Sequence, residues 1–370
     1  MAGIYVHIPF CGSRCVYCGF FSTTRLEERQ TYVDALCREM ELRGETLPVG
    51  TIYLGGGTPS QLTPSQLHQL FEHIYKVYDI AADAEVTMEC NPDDITADMA
   101  GVLRELPVNR VSMGAQTFDE CRLRFLRRRH SARQVVEAVL RLREAGIRNV
   151  SIDLMYGFPE ETLDDWHADI EAALSLHVEH LSAYALTYEE GTPLEAMHRR
   201  GDVEEVDEEL SRRMYYDLKD RLEAAGFEHY EISNFARTTG GGSLRSRHNS
   251  GYWLHTPYVG LGAGAHSYAG RRRQWNVSDL PAYLKAIGEG RVPAEGEQLD
   301  DETFYDEVVM TRLRTCEGIS LDSLSPHDRE KCLRQAGRYL DSGLLERCGS
   351  RLRLTREGLF VSDMVMSGLM

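Results

Sequence analysis

From the N-terminus to about Ile232 the chain alternates short β-rich runs with longer amphipathic segments, and this βα order restricts the fold more than any other feature. Strands are expected over residues 4–8, 51–54, 85–89, 110–113, 150–154, 180–185 and 228–232. Helices are expected over 29–43, 64–78, 97–106, 132–145, 163–176 and 206–225. Thr63, Ser131 and Thr162 each place a hydroxyl at a helix start, with Gln66, Gln134 and Asp165 three residues on, and Pro64 suits a first helical position. Six or seven units are too few for a complete eightfold barrel and suit an α/β fold with a partial (β/α)6 TIM-like barrel, whose ligands gather at the C-terminal strand ends. Polar residues collect at those ends: Gly55-Gly56-Gly57-Thr58, Glu89, Gln116, Asp153 and Tyr184. Such a series argues for one shared site.

Beyond Phe235 the texture changes. Residues 238–243, Thr-Thr-Gly-Gly-Gly-Ser, read as a flexible stretch, and 248–275 is aromatic and glycine-rich. The remainder predicts helices over 303–314 and 328–342, a hairpin over 344–354 turning at Gly349, and a short terminal helix, a small winged-helix-like appendage. The expected division is a barrel core over 1–235, a connecting segment over 236–290 and a C-terminal helical domain over 291–370. The basic run 122–129 and the acidic run 202–209 are expected to be solvated faces.

With 41 Lys+Arg against 58 Asp+Glu the formal charge is −17, which argues against a nucleic-acid partner. No apolar run of about 18 residues is present to span a bilayer, and the start MAGIYVHIPF lacks a secretory signal, so the cytosol is the expected location. Six of the nine cysteines, Cys37, Cys90, Cys121, Cys316, Cys332 and Cys348, are scattered and expected to be small core residues.

The other three stand together, directly after the first strand, as Cys11-Gly-Ser-Arg-Cys15-Val-Tyr-Cys18. Three thiolates on a compact loop suit an iron–sulfur cubane with one iron open to a non-protein ligand. A zinc site would need a fourth ligand, either His7, which strand geometry aims away from the loop, or a distant histidine.

The run Tyr5-Val-His-Ile-Pro-Phe-Cys11, the cysteine loop and Gly55-Gly-Gly-Thr-Pro59 together resemble the radical S-adenosylmethionine (SAM) proteins. More narrowly they resemble the oxygen-independent coproporphyrinogen III oxidase family. Glu89-Cys-Asn-Pro92, Ser112-Met-Gly-Ala-Gln116-Thr-Phe118, Arg128-Arg-His130, Asp153-Leu-Met-Tyr-Gly-Phe-Pro159 and Leu261-Gly-Ala-Gly-Ala-His266 extend the likeness over nearly the whole chain. The resemblance implies a [4Fe–4S] cluster on Cys11, Cys15 and Cys18, whose open iron takes the amino and carboxylate groups of SAM. It also implies a SAM pocket of Tyr5, Tyr17, Gly56, Gly57, Thr58, Glu89, Gln116, Arg128, Asp153, Thr187 and His266, and a low-potential electron donor. Within it, Glu89 would serve the ammonium or ribose, Arg128 the carboxylate, and Gln116 and Asp153 the ribose hydroxyls.

Two features depart from the decarboxylases of that family. They resemble one another in a fourth cysteine two residues after the third, where this chain has Phe20, and in an N-terminal extension for which the ten residues before Cys11 are expected to leave no room. Coproporphyrinogen III decarboxylation is therefore not expected. Both departures, and the segment His248-Asn-Ser-Gly-Tyr252-Trp253, resemble a sister branch of haem chaperones. In that reading His248, Tyr252 and Trp253 are candidate haem contacts, histidine being a common axial ligand and the two rings offering flat apolar area. The expected partners are haem and an acceptor protein, which a membrane can carry; a homodimer is compatible with the sequence. The alternative is a radical-SAM oxidoreductase acting on a porphyrin. No catalytic residue is assigned.

Overall fold

The computed structural model describes residues 1–44 and 48–370. The expected units form in order: β1 (Ala2–Ile8), α1 (Arg29–Arg43), β2 (Val49–Gly56), α2 (Pro64–Val77), β3 (Ile80–Cys90), α3 (Ala97–Glu105) and β4 (Arg110–Gln116). A short helix with no counterpart among the expected units, α4 (Glu120–Phe125), follows, and the expected units continue through α5 (Ala132–Glu144), β5 (Asn149–Tyr156), α6 (Leu163–Ser175) and β6 (His180–Ala185). β1 to β6 pair in chain order, all parallel, and the helices between them supply the crossovers that parallel pairing demands. The three expected helix starts are reciprocal capping boxes at Thr63, Ser131 and Thr162.

The strands have two unlike faces. Ile4, Val6 and Ile8, Ile52 and Leu54, Val86 and Met88, Val111 and Met113, Ile152 and Leu154, and Leu181 and Ala183 enter one apolar core shared with the helices. The alternate residues Tyr5, His7, Thr51, Tyr53, Glu89, Ser112 and Asp153 hydrogen-bond with one another or with polar groups inside the barrel. Parallel strands covered on both faces normally read as unbroken apolar runs. The strict alternation here reserves the inner face for polar chemistry.

After α7 (Pro193–Arg199) and α8 (Glu208–Ala224) the chain departs from the expected pattern. The further βα strand expected over 228–232 is instead β7 (Phe227–Glu231) of an antiparallel hairpin, and it is β8 (Asn234–Thr239) that pairs with β6. The two residues between β7 and β8 allow only a reversal, because a parallel return needs a crossover of a dozen residues or more. The stretch read as flexible closes as a hairpin between β8 and β9 (Gly242–Ser243). The aromatic, glycine-rich segment holds α9 (Arg247–Trp253) and β10 (Tyr258–Leu261), which joins the sheet parallel to β1 on its free side. β11 (His266–Ala269), β12 (Arg272–Asn276) and β13 (Ala294–Gln298) extend that edge antiparallel. Gly260 permits the β10–β11 contact, since a Cβ there would lie 1.8 Å from the His266 carbonyl oxygen.

Fully buried Glu39 on α1 accepts from Gly262 N at 2.7 Å, Tyr283 Oη at 2.8 Å, Asn276 Nδ2 at 2.7 Å and Arg43 Nε at 2.9 Å. It ties α1 to the turn after β10 and to α10 (Leu280–Gly288). The C-terminal part has its own core of Tyr305, Val309, Leu313, Ile319, Cys332, Ala336 and Leu352. α11 (Asp301–Leu313), α12 (Pro326–Asp341) and a three-stranded sheet of β14 (Ile319–Ser320), β16 (Arg351–Leu354) and β15 (Leu345–Cys348) give the winged-helix-like arrangement. Cys37, Cys90 and Cys332 are core residues as expected; Cys121, Cys316 and Cys348 are exposed, on the outer face of α4, in the turn after α11 and at the hairpin tip. Among the described residues no helix is long and apolar enough to cross a membrane.

Candidate functional site

The cysteine loop leaves β1 at the C-terminal ends of the parallel strands. Its base is closed by Thr23 N donating to Pro9 O at 2.7 Å and Cys11 N to Thr23 O at 2.9 Å. Its middle is pinned at Val16, buried among Leu126, Phe158, Leu186 and Leu194, with backbone bonds to Leu126 and Leu194. Fixing a loop at three points removes most of the entropy that ligand binding would otherwise have to remove.

The three thiols are half-buried. Thr58 Oγ1 donates to Cys11 Sγ at 3.6 Å, and Arg128 Nη1 to Cys15 Sγ at 3.4 Å. Burial, with added repulsion from the neighbouring thiols, holds the Cys11 and Cys18 pKa values above the ordinary thiol range. A bound cationic iron centre would reverse that balance. Among the described residues no three His, Cys, Asp or Glu side chains converge as a single ion requires. The loop fits a cubane, in which each thiolate ligates its own iron. His7 is turned toward the loop, against the strand-based expectation, but meets its return arm: Nε2 bonds Phe21 O at 3.0 Å and Nδ1 bonds Tyr5 Oη at 3.1 Å. Both ring nitrogens of His7 are engaged in these hydrogen bonds, neither of them with the thiols.

Beside the thiols, Arg128 Nη2 also donates to Asn91 Oδ1 at 2.7 Å and to Gly114 O at 2.8 Å. Within the 122–129 run, Arg128 is thus turned to this site rather than to solvent. Glu89 accepts from Tyr53 Oη at 2.7 Å and from Gly56 N at 3.2 Å. Burial pushes its pKa up to about 7 against the pull of the Tyr53 bond, with the Asp153 charge adding to the rise. Gly56 stands at φ 107°, and a Cβ there would lie 2.4 Å from the His7 ring; Gly57 follows, leading to the Thr58 contact. Asp153 accepts from Ser112 Oγ at 3.4 Å; burial raises its pKa, restrained by the Ser182 hydroxyl and the Arg110 charge. Gln116 sits at φ 68°, where the β4–β5 register shifts past Gly114, the kind of strained strand end found at ligand sites. Tyr17 is raised by burial and lies against Arg128 and Cys15.

Thr187 lies exposed two residues past β6, and His266 opens β11 with its ring 6.2 Å from Trp275. These two stand apart from the hydrogen-bonded group. Tyr53, Asn91, Ser112 and Ser182 were missed from the sequence; the apolar–polar alternation along β2, β4 and β6 is the signal that finds three of them.

The segment 248–253 lies at the opposite strand ends, near Thr51 and Glu85. The Glu85 carboxylate accepts from the backbone N–H of Arg247 and His248, each at 3.0 Å, capping α9. His248 is buried, with Nδ1 2.9 Å from Thr51 Oγ1 and Nε2 2.8 Å from Tyr252 Oη. Its ring stacks 5.1 Å from that of Tyr53 and 6.5 Å from that of Tyr5. Burial, aided by the Arg110 charge, lowers its pKa to about 3, so it is a neutral imidazole. Trp253 packs under the Arg314 guanidinium at 5.0 Å, and Arg314 pairs with Glu231 at 2.8 Å, joining α9 to the C-terminal part.

The Radical SAM superfamily model matches residues 5–173, and the HemN C-terminal domain model matches 299–361. The chain is 36% identical to a protein of Mycobacterium tuberculosis named Heme chaperone HemW, over 100% of this chain and 94% of that one. It is 33% identical to the protein of the same name from Bacillus subtilis, over 100% and 99%. In fold it matches the coproporphyrinogen III oxidase HemN of Escherichia coli with a TM-score of 0.84 at 22% identity, covering 100% of this chain and 89% of that one.

Proposed function

The chain belongs to the HemW family of radical SAM proteins, and on that premise we propose that it is a haem chaperone, holding haem and passing it to an acceptor protein in the cytosol. The observation that carries this reading is similarity to proteins named as heme chaperones along the whole chain. Phe20 supports it: 71% exposed beside the cysteine loop, it offers an apolar ring where the decarboxylases resemble one another in a thiol. Membership of the superfamily implies a [4Fe–4S] cluster and SAM. In this proposal Cys11, Cys15 and Cys18 hold the cluster, and Tyr5, Tyr17, Gly56, Gly57, Thr58, Glu89, Gln116, Arg128 and Asp153 form the SAM pocket. Thr187 and His266, which stand apart from that group, are its outlying candidate members. The cluster with SAM supplies one-electron chemistry when bound; these side chains bind and orient it.

Glu89 gives the pocket a sign that can be tested. Its folded pKa, about 7, lies above the ordinary 4.5, so the stability it contributes to the unliganded chain is fully present below about pH 4.5 and is lost as pH rises through 7. The amino group of SAM, donating an N–H to the ionised carboxylate, offsets that loss. SAM affinity is expected to rise about tenfold per pH unit up to about pH 7 and then level off. Glu89→Gln is expected to weaken binding and flatten the profile; a profile unchanged in the variant overturns the assignment.

For haem, His248 becomes a ligand only by exchanging its bond to Tyr252 or Thr51 for one to iron. An anaerobic haem titration of the cluster-loaded protein, followed in the haem absorption band, is expected to saturate at one haem per chain. His248→Ala is expected to weaken or spectrally shift it. Equal binding by both proteins removes His248 from the ligand set, and no saturable binding by the parent sinks the chaperone reading.

A further inference from the structure

The two candidate sites lie at opposite ends of the barrel, yet one side chain touches both. Tyr53 donates its hydroxyl to Glu89 Oε1 at 2.7 Å while its ring lies 5.1 Å from His248, nearly parallel at 27°. Tyr5 stacks on Tyr53 at 6.2 Å from the neighbouring strand, closing the sides of the column. His248 is itself held at both nitrogens, by Thr51 and Tyr252, and α9 is capped by Glu85 from β3. A phenol ring backed this way has little rotamer freedom, so its O–H is aimed rather than merely present.

We propose that Tyr53 is a positioning residue through which α9 holds the Glu89 carboxylate in place, so that the state of the His248 segment sets how well the opposite end of the barrel binds SAM. The inference rests on the reading that Glu89 serves SAM. Tyr53 does not touch the thiol loop; it acts by fixing one oxygen of Glu89, while Gly56 N fixes the other. Exchanging the Tyr252 or Thr51 bond of His248 for one to haem iron would turn its ring and alter the face that backs Tyr53. Haem binding and SAM binding are then coupled and, by linkage, reciprocally.

The charged and titratable groups facing Glu89 are Tyr5 from β1, Tyr53 from β2, Arg110 from β4, Asp153 from β5 and Tyr252 from α9. Of these, Tyr53 makes the direct hydrogen bond, and that bond favours the ionised carboxylate.

The test is a double-mutant cycle on SAM binding to the cluster-loaded full chain, with Tyr53→Phe, which keeps the stacked ring, and His248→Ala, which removes its backing. Tyr53→Phe is expected to move the midpoint of the pH–affinity profile up by about one unit, weakening SAM about fivefold at pH 7 and about 10-fold below about pH 6. His248→Ala is expected to weaken it several-fold without haem present, and the double variant to match Tyr53→Phe alone. In the cluster-free chain, infrared titration of labelled glutamate should show the Glu89 midpoint shifted upward in Tyr53→Phe, a readout that a general loss of packing does not move. If His248→Ala fails to fold, hydrogen exchange at amides 247–253 replaces it: SAM should slow exchange in the parent and leave it unchanged in Tyr53→Phe. An unmoved midpoint, additive losses, or equal slowing in both overturns the proposal. If Glu89→Gln also binds SAM as the parent does, the assignment of Glu89 has failed instead.

Discussion

Glu39→Ala is expected to destabilise the protein by about 3–5 kcal/mol, the cost of leaving a buried charge network without one partner. The carboxylate accepts four hydrogen bonds in a site closed to solvent, and its removal strands the Arg43 guanidinium, whose side chain is 6% exposed. Gly262 N, Asn276 Nδ2 and Tyr283 Oη lose their shared acceptor in the same step. Glu39→Gln is not a conservative control. At most one amide oxygen can accept, and its NH2 group must face donors, so a loss of about 2 kcal/mol or more is expected. The consequence reaches the site, because the turn at Gly262 and Ala263 packs over β1: Tyr32 Oη both donates to His7 O at 2.8 Å and accepts from Ala263 N at 3.0 Å. Urea unfolding followed by circular dichroism measures the change. A loss below about 1 kcal/mol for Glu39→Ala would mean that the network is relieved by water and does not anchor the turn.

Replacing any one of Cys11, Cys15 or Cys18 with alanine is expected to leave the reconstituted chain with almost no bound iron and no measurable SAM binding. Three thiolates are the whole protein ligand set in this proposal, and no other cysteine lies in the loop to substitute. The exposed Cys121, Cys316 and Cys348 provide the matched controls: their alanine variants should load iron as the parent does. Cys15 is the most informative of the three. Arg128 donates to it while also holding Asn91 and Gly114 O, so Cys15→Ala leaves a largely buried guanidinium short of one acceptor and should raise protease sensitivity of the loop as well. Iron retained at the parental level in any of the three variants would refute the ligand set.

The legibility of this chain was uneven for physical reasons. β1 to β6 and most helices between them were readable from local signals, with α2, α5 and α6 carrying period and cap together, and the three capping boxes formed at the residues that encode them. The segment after Phe235 was not. Its strands β10 to β13 are short, and β10 finds its partner in β1 at the far end of the sequence, a pairing no local pattern announces. Burial of the lone cysteines was likewise not local: Cys121 and Cys37 both sit on helices, but only Cys37 is turned to the core.

The sequence by itself determined the thiol loop, the glycine run and the polar strand ends, because residue type and spacing along one chain suffice to assemble donors that lie within one loop or at the end of one strand. Only the tertiary structure decided which members meet. Arg128 turns from a basic run to Cys15, Asn91 and Gly114, while His266 remains on β11, three strands from the β2 residues that bond Glu89. It alone placed His248 beneath Tyr53, at the end of the barrel away from the cysteines, with both nitrogens occupied. The reason is geometric: side chains from separate strands share a layer only once register is set, and register depends on how the whole sheet packs its apolar face against the helices.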